Sequence, residues 1–442
     1  MILRKVKSSK RSKEERMIHM TGKEKLNLAL NHQEGPVLFD IGGLNTTGMH
    51  CMVMEELRDF YGLEKRPVKI IEPSQLLGYM EDDLREALGV ETQPVWGARN
   101  CYGFSMAGEY HEWKTPWGQT VLVPEEFITT VDEKGDTLVY ACADPNYAPA
   151  GRMPKGGVFF DNEDRAPEYD EDDYDINDNL EEFTLFTDEE IAYIKAGIDA
   201  VQDKTRVITQ CSTGITGGGT CLADHSMIAG PMLREPKGIR ALQDFYMATA
   251  GDEETVMEIF EKETDIGIQN LKRIHDAVGD SIDVLHICGT DLGTQKSLFY
   301  SKSTIEEVWA PYWKKINDWI HENTSWKTFK HACGSIDPVI DILIDSGFDC
   351  LNPVQWTADN MDKNMLKEKY GDRLVFWGGG VDTQHLLPEG TPDQVYEQAR
   401  ECLKVFSKGG GFVFNTIHNI VPGVSAANVD ALARAVADHN KG

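Results

Sequence analysis

Among the 442 residues no two cysteines stand in Cys-x-x-Cys spacing; the nine are scattered singly from Cys51 to Cys402, an odd number in a long chain. That excludes a disulfide framework and predicts reduced thiols packed as small hydrophobes. No run of about 18 apolar residues is present to span a bilayer, and the N-terminus lacks the apolar core of a signal peptide, so a cytoplasmic protein is expected. Basic side chains are scarce beside acidic ones, 44 against 73, for a formal charge of −29. Such a balance opposes binding to nucleic acid or to anionic membrane, and it disfavours a polyanionic substrate. The glycine runs Gly217–Gly219, Gly378–Gly380 and Gly409–Gly411 fit neither a dinucleotide fingerprint nor a P-loop. They leave two readings open, close backbone approach to a ligand or tight turns.

What the chain does have is core. Hydrophobic residues make up 41%, with 9 Trp, 14 Tyr and 17 Phe, enough for a folded protein of one elaborated domain over residues 21–442. Residues 1–20 carry seven Lys and Arg without apolar periodicity and are expected to form a disordered basic arm, or to precede a start at Met17 or Met20. A helix capped by Thr21 is followed by a first strand, Val37 to Asp40, and a Gly- and Asn-rich loop through Asn45. Residues 91–160 alternate as hairpin strands and predict a small antiparallel insert. Residues 161–190 concentrate Asp and Glu without EF-hand spacing, which predicts an acidic surface loop ending in a helix start at Thr187.

Beyond Lys204 short β-branched runs alternate with amphipathic stretches, the mark of repeated βα units. Strands are predicted at residues 206–210, 282–286, 326–330, 350–352, 374–377 and 411–415. With the first strand this nearly fills a (β/α)8 TIM barrel, an open doubly wound sheet being the alternative. Polar residues fall at the strands' carboxyl ends, where barrel enzymes keep their chemistry: Asp40, Cys211 to Gly214, Asp291, His331, Gln355, Asp382, His418 and Asn419. His331 and Cys333, one residue apart in extended backbone, share a face and form a soft donor pair suited to zinc. Asp382 and His418, at later strand ends, are candidates to complete the site, and Glu397 is a weaker one because it falls mid-helix. Trp356, after Gln355, is the strongest candidate for an aromatic wall.

These residues belong to recognisable stretches: Asp291-Leu-Gly-Thr-Gln295, His331-Ala-Cys-Gly-Ser335, Leu351-Asn-Pro-Val-Gln355, Phe376-Trp-Gly-Gly-Gly-Val-Asp-Thr-Gln384 and Gly409-Gly-Gly-Phe-Val-Phe-Asn-Thr-Ile-His-Asn419. Occurring in this order, they resemble the uroporphyrinogen decarboxylase superfamily, specifically its methyltransferase branch, over residues 22 to 440. The decarboxylase's arginine-rich N-terminal motif is absent; the first strand leads instead into Asp40-Ile-Gly-Gly-Leu-Asn45. The resemblance implies zinc held by His331, Cys333 and His418, with histidine at the last place where some relatives have cysteine. It also implies transfer of a methyl group from a small donor, such as a methoxylated aromatic, to a corrinoid on a separate protein. No Asp-x-His-x-x-Gly corrinoid motif occurs here, so that cofactor is expected on a partner chain. Asp291, Gln355 and Asp382 are then expected at the chemistry, Asp40, Asn45, Trp356 and Asn419 around the substrate, and a homodimer as the assembly. The alternative is a cofactor-free decarboxylase of a carboxylated tetrapyrrole, with Asp40 or Asp291 holding substrate nitrogens.

Overall fold

The computed structural model describes residues 20–170, 174–211, 222–224 and 227–441. The predicted basic arm up to residue 19, the run from 212 to 214 and Gly217–Gly219 lie outside them. Sixteen strands are found among the described residues: β1 Leu38–Phe39, β2 Val68–Glu72, β3 Leu77–Gly78, β4 Thr92–Trp96, β5 Tyr110–Lys114, β6 Thr120–Pro124, β7 Thr129–Val131 and β8 Thr137–Val139; then β9 Gly151–Met153, β10 Asp161–Asn162, β11 Val207–Cys211, β12 Val284–Cys288, β13 Lys327–His331, β14 Cys350–Asn352, β15 Val375–Trp377 and β16 Phe412–Phe414. Eight of these pair in parallel in the order β1-β16-β15-β14-β13-β12-β11-β4. The Glu91 N–H reaches the carbonyl of Phe39 at 3.0 Å, which draws the two outer strands together. With helices after successive strands this is the (β/α)8 barrel.

The strands are short and alternate. Leu38, Val207, Val284, Phe329, Cys350, Val375, Trp377 and Val413 fill the barrel interior, while the intervening residues pack under the helices. The helices form for local reasons. Thr21, Thr187 and Thr391 each close a capping box with Glu24, Glu190 and Gln394. Glu253–Val278 buries a stripe through Val256, Ile259, Phe260, Leu271 and Ile274. None of the helices among the described residues is long and apolar enough to cross a membrane.

The insert boundary expected at residue 91 is corrected. Thr92–Trp96 is the eighth barrel strand, paired in parallel along its whole length with β11. What stands beside the barrel is two small sheets: β3-β2-β6-β5, in which β2 and β6 run parallel, and the antiparallel β10-β9-β8-β7. Within the acidic stretch the described residues include β10 and a 3-10 turn at Ile176–Asn179, and it ends in the helix Asp188–Ala200 capped by Thr187.

Candidate metal centre

The alternation of β13 decides which of its side chains meet. Phe329 and His331 face the barrel interior, Phe329 lying edge-on to Trp377 with centroids 5.5 Å apart. Pairing with β14 continues one residue past the strand, through Ala332 N–H to the Asn352 carbonyl at 2.7 Å, so Cys333 keeps the extended spacing that returns its side chain beside His331. Gly334 then turns the chain with φ of +98°, and a Cβ there would lie 2.1 Å from the Gly293 carbonyl oxygen, so only glycine fits.

His331 is 5% exposed. Its Nδ1 lies 2.6 Å from Asn352 Oδ1, and the same amide donates through Nδ2 to the Trp377 carbonyl at 2.8 Å. Because that carbonyl can only accept, the amide orientation is settled, Nδ1 must carry the proton, and Nε2 is left with its lone pair. Nε2 is 3.2 Å from Cys333 Sγ. His418, on the loop after β16, brings its ring to 5.3 Å from that of His331. One donor atom from each of His331, Cys333 and His418 lies within 4.8 Å of the others. A tetrahedral zinc with bonds of about 2.1 Å to nitrogen and 2.3 Å to sulfur spaces its donors at roughly 3.4–3.6 Å. The 3.2 Å from His331 Nε2 to Cys333 Sγ is close to that spacing, and donors all within 4.8 Å of one another are near enough to converge on such an ion.

Burial sets the charge states. It lowers the His331 pKa to about 4 and lowers that of His418, keeping both imidazoles neutral at pH 7. Burial and the neighbouring Asp291 push the Cys333 thiol well above its ordinary value. The two imidazoles thus offer lone pairs as they stand, and the thiol would have to lose its proton to solvent before it could bind a metal ion. Asp291, on the loop after β12, accepts the Cys333 N–H at 2.9 Å and lies 3.8 Å from His331 Nε2 with a third of its side chain exposed. Gln355 accepts the Gly334 N–H at 2.7 Å. Trp356 is half-buried, its Nε1–H bonded to the Gly379 carbonyl at 2.8 Å.

Five expected site residues meet a different geometry. Asp382 does not join the donor set: its carboxylate caps the following turn, accepting from the Gln384 and His385 N–H groups. Asp40 is fully buried, its oxygens taken by Thr92 Oγ1, Gly43 N–H and Trp377 Nε1, so it ties β1, β4 and β15 together and offers no face to a substrate. Asn419, 2% exposed, spans two loops: it accepts from Gly48 N–H and donates to the Asn45 carbonyl and Gln75. Asn45 joins that bracket through its backbone. Glu397 is exposed beside Arg400, away from the centre. Asn352, which holds the His331 ring, is a residue not singled out above although it ends β14, where the strand-end rule applies.

Fold and site together define a (β/α)8 protein with a His-Cys-His donor set at the carboxyl end of its strands. The chain belongs to the uroporphyrinogen decarboxylase (URO-D) family, whose model matches residues 176–439, more than half of it. It is 31% identical over 99 residues to a uroporphyrinogen decarboxylase of Saccharophagus degradans, covering 22% of this chain and 26% of that one. It is 28% identical over 105 residues to a methylated-thiol–coenzyme M methyltransferase of Methanosarcina mazei, covering 24% and 26%. The matches thus span about a quarter of the curated relatives' length. A solved methyltransferase from Methanosarcina mazei shares the fold over 95% of this chain and 99% of its own, with a TM-score of 0.54 at 16% identity.

Proposed function

We propose that this chain is a methyltransferase moving a methyl group from a small donor, a methoxylated aromatic, to a corrinoid carried on a separate protein. The observation that carries the reading is the convergence of His331, Cys333 and His418, two neutral imidazoles and a thiol, at the barrel's open end. A Methanosarcina mazei relative named as a methylated-thiol methyltransferase supports it. Zinc held there would supply Lewis-acid stabilisation of the negative charge that develops on the donor's heteroatom.

The chain's own residues do the rest. Asn352 holds the His331 ring in one tautomer and orientation. Cys333 would give up its proton to solvent on binding a metal, and Asp291 anchors the Cys333 backbone while keeping exposed carboxylate at the rim, placed to orient the donor. Gln355 fixes the turn after Cys333. The cysteines found unpaired among the described residues agree with a cytoplasmic setting. The decarboxylase alternative is weakened because Asp40 is spent on the barrel seam and the charge of −29 opposes a polycarboxylate.

Elemental analysis of the purified protein and of Cys333→Ala is the direct test. About one zinc per chain, lost in the variant, is expected, followed by demethylation of methoxylated donors with a reduced corrinoid protein. A native protein free of zinc would return the decarboxylase reading to the front.

A further inference from the structure

We propose that Lys330 is a positioning residue for the metal centre, a buried cation that fixes the spacing between the two strand ends on which Asp291, His331 and Cys333 sit. The inference rests on the proposed metal centre. Lys330 has no solvent exposure, and its register in β13 sends the side chain out of the barrel, under the helix Ala310–Asn323. There the ammonium lies 5.4 Å from the centre of the Trp313 ring. It donates to the Thr290 carbonyl at 2.7 Å and to the His331 carbonyl at 2.6 Å. Among the described residues no carboxylate comes within ion-pair distance of it.

Where this happens matters. The parallel pairing of β12 with β13 slips at Ile287: His286 is opposite Phe329, but Cys288 is opposite Lys330. A bulge at the end of a pair re-aims the residues beyond it and ends the regular ladder. Past it the regular ladder gives way to two isolated backbone bonds farther out, Gly293 N–H to the Cys333 carbonyl at 3.2 Å and Ser335 N–H to the Thr294 carbonyl at 2.8 Å, and the Lys330 ammonium bridges the stretch between the bulge and these bonds. Thr290 directly precedes Asp291, whose carboxylate takes the Cys333 N–H, and His331 is itself a donor. One cation therefore closes a loop of contacts running Lys330, Thr290, Asp291, Cys333, His331.

A burial this complete is costly for a charge without a counter-ion. A neutral side chain of the same length would serve packing alone. The charge lies behind the loops that bear Asp291 and Cys333, the carboxylate and the prospective thiolate of the site, and offsets their negative charge from the buried side.

Cobalt(II) substitution tests this without any turnover. The wild type, Lys330→Met and Lys330→Gln are titrated with Co2+ after circular dichroism has verified folding, and both affinity and the thiolate-to-cobalt charge-transfer band are read. The proposal predicts that the wild type shows the band, and that each folded variant binds Co2+ at least about tenfold more weakly with the band shifted or diminished. A folded variant with unchanged affinity and band overturns the role of Lys330 and leaves the metal reading standing. A wild type without a thiolate band removes the metal reading, and this inference with it. Failure of both variants to fold reduces Lys330 to a core residue and likewise overturns the proposal.

Discussion

At the scale of single residues, the centre depends on which nitrogen of His331 faces the other donors, and that is decided one contact away. Asn352 links the His331 Nδ1–H to the Trp377 carbonyl, so ring orientation is set by the barrel wall. Asn352→Ala removes the acceptor and leaves a buried N–H without a partner. The ring is then free to rotate or change tautomer. Outer contacts of this kind are typically worth ~10–100-fold in metal affinity, and zinc binding is expected to fall by that order. Competition against a chromogenic chelator measures it; binding within twofold of the wild type would show that Asn352 does not orient the ligand.

At the scale of elements, what was legible in the sequence is what short-range pattern dictates. Seven barrel strands, the capped helices and the His331-x-Cys333 pair come from alternation, caps and strand ends. The eighth strand, Thr92-Gln-Pro-Val-Trp96, was not legible. It has a proline and no apolar run, and its polar groups are satisfied by Asp40 and Arg206, distant in sequence. Asp40, Asn419 and Asp382 misled for a related reason: a strand-end position says that a side chain reaches the mouth region, not whether the fold has already used its oxygens. Glu263 is another long-range case, a carboxyl on the buried stripe of Glu253–Val278 that accepts the Leu222 N–H at 2.7 Å. Burial raises its pKa to about 8, against 4.5 ordinarily, so it is protonated in the folded protein at pH 7. Between these values the unfolded chain releases a proton that the folded one keeps. Stability from this group is full below pH 4.5 and declines by ~1.4 kcal/mol per unit as pH rises towards 8. Glu263→Gln keeps an acceptor without the titration, so its stability relative to the wild type should improve from pH 6 to pH 8. Urea unfolding at both values checks this, and a difference independent of pH would mean that Glu263 is ionised in the fold.

At the scale of the whole molecule, a metal held as proposed would be a cross-link. His331 and Cys333 come from the end of β13 and His418 from beyond β16, with β14 and β15 forming the wall between. The unfolded chain has no such arrangement, so a metal bound there stabilises the folded barrel by mass action, about 2.7 kcal/mol when free metal is a hundredfold above its dissociation constant. In a chain carrying a net charge of −29, a divalent cation at the mouth also relieves repulsion among carboxylates. Stripping the metal should therefore lower Tm by several degrees, and readding zinc should restore it. Cys333→Ala should melt near the stripped protein and respond little to zinc, because two imidazoles alone hold the ion weakly and no longer include the thiolate. Calorimetry with metal content measured on the same samples decides the matter: a wild type whose Tm stays constant while its zinc is removed and returned would show that these three side chains do not jointly bind an ion that bridges the barrel.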